Sequence, residues 1–174
     1  WMVTNRAEAF ANRSFALYQK GEYVKAIDSA YFALLERGDN LQANNYRALA
    51  YLARNHYDKA INTGNRMIQI DPKSAEGYSH RGAAYEGKGN HDQNIADQTK
   101  AIELQPNLSL AYQRRATAYF AKGEKLKGMK DLEQALQRVK ADTPEGLCDR
   151  AYIYAIGGEK GKALSDLEQA LKVN

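Results

Sequence analysis

An all-α fold of ten helices, paired into five hairpins that stack as a solenoid, is what this sequence predicts. Three observations carry that reading. Only 3 prolines occur in 174 residues, which favours long uninterrupted helices, because proline removes a backbone donor and clashes inside a helix. Punctuation recurs at a fixed spacing: Asp71-Pro72 and Gln105-Pro106 lie 34 residues apart, each after an Ile-x-Ile or Ile-x-Leu helix end, and Gly82-x-x-Tyr85 and Ala116-x-x-Tyr119 keep the same interval. Columns of small residues then recur in register along the whole chain. Self-similarity at this period is the mark of a helical repeat array.

Extending the frame both ways starts repeats at Ala7, Leu41, Ala75 and Ser109, with a fifth at Pro144, one residue late after the longer Lys140–Thr143 connection. The expected organisation is an N-terminal extension, 1–6, followed by one solenoid domain, 7–174, with repeats 7–40, 41–74, 75–108, 109–143 and 144–174. Helices are expected over 7–20, 23–37, 41–54, 57–70, 75–88, 91–104, 109–122, 125–139, 144–157 and 160–173.

Each element has its own column. In the first helix of each repeat (helix A) one position is always small: Ser14, Ala48, Gly82, Ala116, Ala151. Three residues on stands a bulky one: Leu17, Tyr51, Tyr85, Tyr119, Tyr154. The turn to the second helix (helix B) reads Gly21, Asn55, Gly89, Gly123, Gly158, the residue types that tolerate the left-handed conformation ending a helix. Helix B has a small column at Ala26, Ala60, Asn94, Gly128, Ala163 and another position at Ala33, Met67, Ala101, Ala135, Ala170, followed by Leu or Ile. Small side chains let two helix backbones approach, and Tyr and Leu/Ile fill what remains. No hairpin buries its apolar face alone, so the next must cover it.

These columns resemble the tetratricopeptide repeat family over residues 7 to about 173. The chain departs from the family pattern at Asn94 and Gly128, where the family prefers Ala, and at Gly38 and Lys140, where it prefers Pro. The resemblance implies a right-handed superhelix that holds a protein or peptide partner and performs no catalysis. It also implies a concave groove lined by helix-A positions. Those chosen as ligand-binding residues are Phe15 and Tyr18, then Asn45 and Leu49, then Ser79 and Glu86, then Gln113, Thr117 and Phe120, and finally Tyr152. An amphipathic surface of aromatic, amide and small residues suits an extended peptide or a helix laid in a groove. Family members that hold the acidic carboxyl terminus of heat-shock chaperones use Lys, Asn, Asn, Lys and Arg at five positions. Here those hold Ala11, Phe15, Tyr46, Glu76 and His80, and one repeat on they hold Asn45, Leu49, His80, Leu110 and Arg114. The chaperone clamp is therefore not expected.

Composition narrows the other classes. The net charge is +4, without a run of five Lys or Arg; the densest group is Lys122, Lys125, Lys127 and Lys130, the pattern of a solvated helix face. Nucleic-acid binding, which concentrates charge in a patch, is not expected. No stretch of 18 apolar residues exists, so no membrane insertion is expected. A cytoplasmic location is expected, and the start at Trp1-Met2 is compatible with a removed export signal. Cys148, the one cysteine, cannot form an internal disulfide.

No catalytic, cofactor or metal site is expected. His56, His80 and His91 share no ligand spacing. Gly87-Lys88-Gly89 and Gly157-Gly158-Glu159-Lys160-Gly161 fall at helix A–B turns and follow no strand, so they are turn glycines, not phosphate loops. An Arg column, Arg13, Arg47, Arg81, Arg115 and Arg150, is followed 16 residues later by Asp97, Asp131 and Asp166 in the last three repeats and by Ser29 and Thr63 in the first two. A structural bond from each Arg to a helix-B side chain is expected, in preference to an anion-binding row. The alternative to groove binding is self-association. The face bearing Leu164, Leu167, Leu171 and Val173 is expected to be partly bare and would join a homodimer through the C-terminal end.

Overall fold

The structure is a computed structural model that describes residues 2–172, with side chains from residue 6 onward. Among the described residues it has ten helices and no strand. They run α1 (Met2–Gln19), α2 (Tyr23–Glu36), α3 (Leu41–Ala53), α4 (Tyr57–Ile70), α5 (Ala75–Gly87), α6 (His91–Leu104), α7 (Ser109–Ala121), α8 (Lys125–Leu136), α9 (Pro144–Ile156) and α10 (Lys160–Lys172). The fold class is the expected one, all-α and built from repeated helical hairpins.

Local chemistry sets the ends. Asn40, Ser74 and Thr143 cap α3, α5 and α9, each side-chain oxygen accepting from the backbone N–H three residues on. Such caps satisfy donors that the helix itself leaves open. The turn column is left-handed in every repeat: φ is 74° at Gly21, 57° at Asn55, 73° at Gly89, 76° at Gly123 and 82° at Gly158.

Two expected boundaries move. Helix α1 starts at Met2, not Ala7, so residues 2–6 continue the helix instead of forming an extension; Arg6 reaches Glu36 of α2 at 3.5 Å. Helix α8 stops at Leu136, short of 139. There Arg138 donates its backbone N–H to Ala135 and its guanidinium to the carbonyls of Gln134 and Pro106. Those bonds close the chain into a turn where the helix would otherwise continue. Val173, expected on the α10 face, lies outside the described residues.

The contacts group into two compact units, Trp1–Leu104 and Gln105–Asn174. In the first, α1/α2, α3/α4 and α5/α6 are hairpins, α2 packs on α3, α4 on α5, and the A helices meet as α1 with α3 and α3 with α5. In the second, α7/α8 and α9/α10 are hairpins, and α8 touches α9.

The small columns are the core. Ser14, Ala48, Gly82, Ala116 and Ala151 are all buried, as are Ala26, Ala60, Asn94, Gly128 and Ala163. Ala33, Met67, Ala101, Ala135 and Ala170 are buried as well. Smallness is required at the closest crossings. A Cβ on Gly64 would stand 2.8 Å from the Arg81 Cβ and 3.0 Å from the Gly77 carbonyl oxygen, so α4 and α5 approach backbone to backbone.

Candidate functional site

Two groups of side chains compete for a functional role: the Arg column and the helix-A face. The Arg column is resolved by geometry. Arg81, Arg115 and Arg150 each direct Nε and Nη2 at the two carboxylate oxygens of Asp97, Asp131 and Asp166, at 2.6–2.8 Å. Planar fork-to-fork pairing of this kind is the strong form of a charge-assisted hydrogen bond. The acid holds each guanidinium pKa above its ordinary value, against the opposing effect of burial. Arg81 also donates Nη1 to Asn65 of α4 at 2.8 Å, tying its hairpin to the preceding one. These arginines are staples, as the recurrence suggests.

The first two repeats differ. Thr63 spends its hydroxyl on the Lys59 carbonyl at 2.8 Å. Arg47 donates Nη2 to Asn44 Oδ1, and its Nε is buried without a hydrogen bond. Burial, with a further push from the Arg66 charge, pulls its pKa down. Ser29 and Arg13 form no bond to each other.

The helix-A residues fall into three groups. In the first unit Phe15 is 41% exposed and lies against Tyr46 of α3, ring centroids 5.0 Å apart. Gln42 Nε2 donates to Asn12 Oδ1 at 3.3 Å, and His80 Nε2–H donates to Asn45 Oδ1 at 2.6 Å. These contacts link α1 to α3 and α3 to α5 along one side. Beside them a cleft of about 290 Å³ is lined by Leu41, Gln42, Asn45, Lys73 and Glu76, among others. Tyr18 and Leu49 are half-buried, and the Tyr18 ring rests on Tyr23 at 5.6 Å.

A second group is committed inward. Ser79 is 2% exposed and Gln113 6%. The Ser79 carbonyl accepts from Gln98 Nε2 at 3.0 Å, and Gln113 Nε2 donates to Ser109 Oγ. Glu86, expected in the groove, is engaged within its own hairpin: it accepts from Asn94 Nδ2 at 2.8 Å and from the His91 ring at 3.0 Å. Phe120, at the equivalent position of the next repeat, covers Gly128, where an added Cβ would meet its ring at 2.7 Å. The two departures from the Ala column are thus compensated by their own helix A. Asn94 answers Glu86, and Gly128 makes room for Phe120. The pairing could have been found in the sequence, since both oddities sit eight residues after an unusual helix-A residue. The third group, in the second unit, is open: Thr117 is exposed and Tyr152 is 58% exposed.

The histidines serve three separate neighbourhoods. His80 bonds Asn45, His91 bonds Glu86, and His56 lies beside the Tyr51 ring at 6.2 Å. Among the described residues no group of three His, Cys, Asp or Glu is placed to hold a metal ion, and no helix is long and apolar enough to cross a membrane.

Two family models match the chain: "TPR repeat" over residues 48–89 and "Tetratricopeptide repeat" over 75–108. No curated protein is significantly similar in sequence. Among solved structures, a thermophilic TPR protein from Thermus thermophilus is 25% identical with a TM-score of 0.78, over 95% of this chain and 90% of that one. A tetratricopeptide repeat protein from Parabacteroides merdae is 23% identical with a TM-score of 0.73, over 94% of this chain and 63% of that one. The first TPR of Spaghetti (RPAP3), bound to the HSP90 peptide SRMEEVD, is 22% identical with a TM-score of 0.65, over 69% of this chain and 95% of that one. Residues 48–108 therefore carry tetratricopeptide repeats, and such repeats are general protein–protein interaction modules.

Proposed function

We propose that the protein is a scaffold or adaptor that binds an extended or helical segment of a partner protein on its helix-A face. The observation that carries this reading is the side-by-side placement of α1, α3 and α5, with Phe15, Gln42 and Asn45 along one side and a cleft beside them. Phe15 offers an aromatic anchor, and buried aromatic anchors dominate interface energies. Asn45, its Oδ1 held by His80, offers its amide N–H donors to a peptide carbonyl. In the second unit Thr117, Phe120 and Tyr152 are the corresponding candidates; Ser79, Glu86 and Gln113 act as supports. The structural relative bound to an HSP90 peptide supports peptide capture by this fold. An acidic chaperone tail is not the proposed ligand, because Ala11, Phe15, Tyr46, Glu76 and His80 supply no matching set of cations.

A second reading, self-association, draws on the row of Leu164, Leu167 and Leu171, which are 44–75% exposed on α10. The two readings part in one experiment. Affinity capture by the intact chain is compared with capture by Phe15→Ala/Asn45→Ala and by Leu171→Glu. The double variant should weaken the captured partner at least about tenfold, or ~1.4 kcal/mol, with helicity unchanged. If it captures normally while Leu171→Glu abolishes the complex, self-association replaces groove binding.

A further inference from the structure

Three hairpins seat an Asp of helix B on an Arg of helix A; the first hairpin keeps the Arg and lacks the acid. Arg13 borders a pocket of about 230 Å³ between α1 and α2, lined also by Lys25, Asp28, Ser29 and Phe32. Ser29 stands where Asp97, Asp131 and Asp166 stand in the other hairpins. Its side chain is 3% exposed residue-wide, and its Oγ makes no hydrogen bond to any described group. A buried hydroxyl left so is costly, and an arriving acceptor relieves it. Lys25 is already bonded to Glu22 at 2.5 Å, which leaves Arg13 as the cation facing the pocket.

The pocket adjoins an apolar surface on α2. Val24, Tyr31, Phe32 and Leu35 of α2 are 48–63% exposed, and Phe32 is flanked by Phe10 at 5.5 Å and Tyr31 at 6.0 Å. Repeat 3 carries Asp92, Thr99, Lys100 and Glu103 at the same four positions. Helix α2 is thus apolar on two faces, one buried through Ala26, Ala30 and Ala33, the other open. A solvated helix B has no use for the second.

We propose that this pocket and face together bind a segment of another protein carrying a Glu or Asp side chain among apolar residues. The carboxylate takes the seat that Asp97 fills in repeat 3, accepting from the Arg13 fork and the Ser29 hydroxyl. Its apolar neighbours cover Tyr31, Phe32 and Leu35. Arg13 supplies the positive charge of the lining, and Asp28 is the one acid that opposes an incoming anion. This surface is distinct from the helix-A face that carries Phe15 and Asn45.

The probe is the peptide acetyl-Leu-Glu-Leu-Phe-amide, with its Gln counterpart, titrated into the full chain while the Arg13 Nε–Hε NMR resonance is followed. The Glu peptide should shift that resonance and the Gln peptide should not. Arg13→Ala, an exposed-side change, and Ser29→Asp, which supplies the hairpin with its own acid, should each weaken binding at least about tenfold. Asp28→Asn, which removes a repelling charge, should tighten it about threefold. Phe15→Ala/Asn45→Ala should bind the probe as wild type does. The proposal is overturned if the Gln peptide shifts Arg13 equally, if Ser29→Asp binds undiminished, or if the Phe15→Ala/Asn45→Ala variant loses the probe. It is equally overturned if the protein sediments as a dimer that Arg13→Ala dissociates, since a second copy is then the occupant.

Discussion

The first and third hairpins share a backbone plan and fill it with opposite chemistry. In α1/α2, Ser14 meets α2 through the Ala26 carbonyl, Ala26, Ala30 and Ala33 pack inside, and the outer face of α2 is apolar. In α5/α6, Gly82 lies under Gln98, Asn94 bonds Glu86, and Arg81 grips Asp97. The first hairpin is closed by contact, the third by a polar network that is nearly all internal. What the two have in common is a small residue at two crossings, Ser14 or Gly82 on helix A and Ala33 or Ala101 on helix B. Backbone approach is what the repeat demands; the polarity around it is free to vary, provided that each buried polar group finds a partner.

That contrast can be broken most severely at the staple. Breaking a buried pair from one side costs about 3–5 kcal/mol. Arg81 keeps 23% of its side-chain surface in water, so Asp97→Ala is expected to cost about 2–3 kcal/mol in a urea melt. The same change at repeat 1 is impossible, because Ser29 is already there, and Ser29→Ala, which removes a buried hydroxyl that bonds no described group, should cause no loss in the melt. A loss at Ser29 comparable to that at Asp97 would end the distinction between the hairpins.

Size, the shared feature, is tested next. Ala135→Leu inserts three carbons into a fully buried crossing and should cost about 1–3 kcal/mol. An unchanged melting curve would reject the alignment of columns on which the repeats are defined.

The claim that polarity is exchangeable calls for a cycle. Glu86→Leu alone removes the acceptor of the Asn94 Nδ2 bond and should cost about 1–2 kcal/mol. Adding Asn94→Ala gives repeat 3 the Leu/Ala combination that Leu52 and Ala60 have in repeat 2, and most of the loss should return. Additive losses in the double variant would show that the network is required for more than its own satisfaction.

The smallest effect concerns pH. The hydrogen bond from Arg150, with its charge, holds the Asp166 carboxyl below its ordinary 3.8, opposed by burial. A folded pKa below the unfolded one contributes stability that is complete above the unfolded value and lost as pH falls through the folded one. Asp166→Asn should therefore be less stable than wild type at pH 7, with the gap closing once the pH drops below 3.8. A gap that persists in acid would assign the loss to packing.

Much of this was legible in the sequence, and the illegible parts have physical causes. The turn column was readable because a left-handed residue is nearly always Gly or Asn, and Asn55 obeys the rule as well as the four glycines do. The small columns were readable because crossings select size. The start of α1 was not, since residues 2–6 precede the repeating pattern. Groove residues were the least legible. A polar side chain on helix A can face a ligand or its own helix B, and Glu86 takes the second course because Asn94 waits opposite. Gln113 is buried and bonded within its own helix, to Ser109 one turn back.

The staples have one more consequence, for kinetics. Each Arg–Asp pair joins residues 16 apart in the chain, and each lies wholly within one hairpin. Closing so short a loop sacrifices little entropy, and chains dominated by near-neighbour contacts cross their folding barrier fast. Each stapled hairpin can gain its strongest polar bond before any distant segment arrives. The first two hairpins, with Ser29 and Thr63 in place of the Asp, have no such bond to gain early.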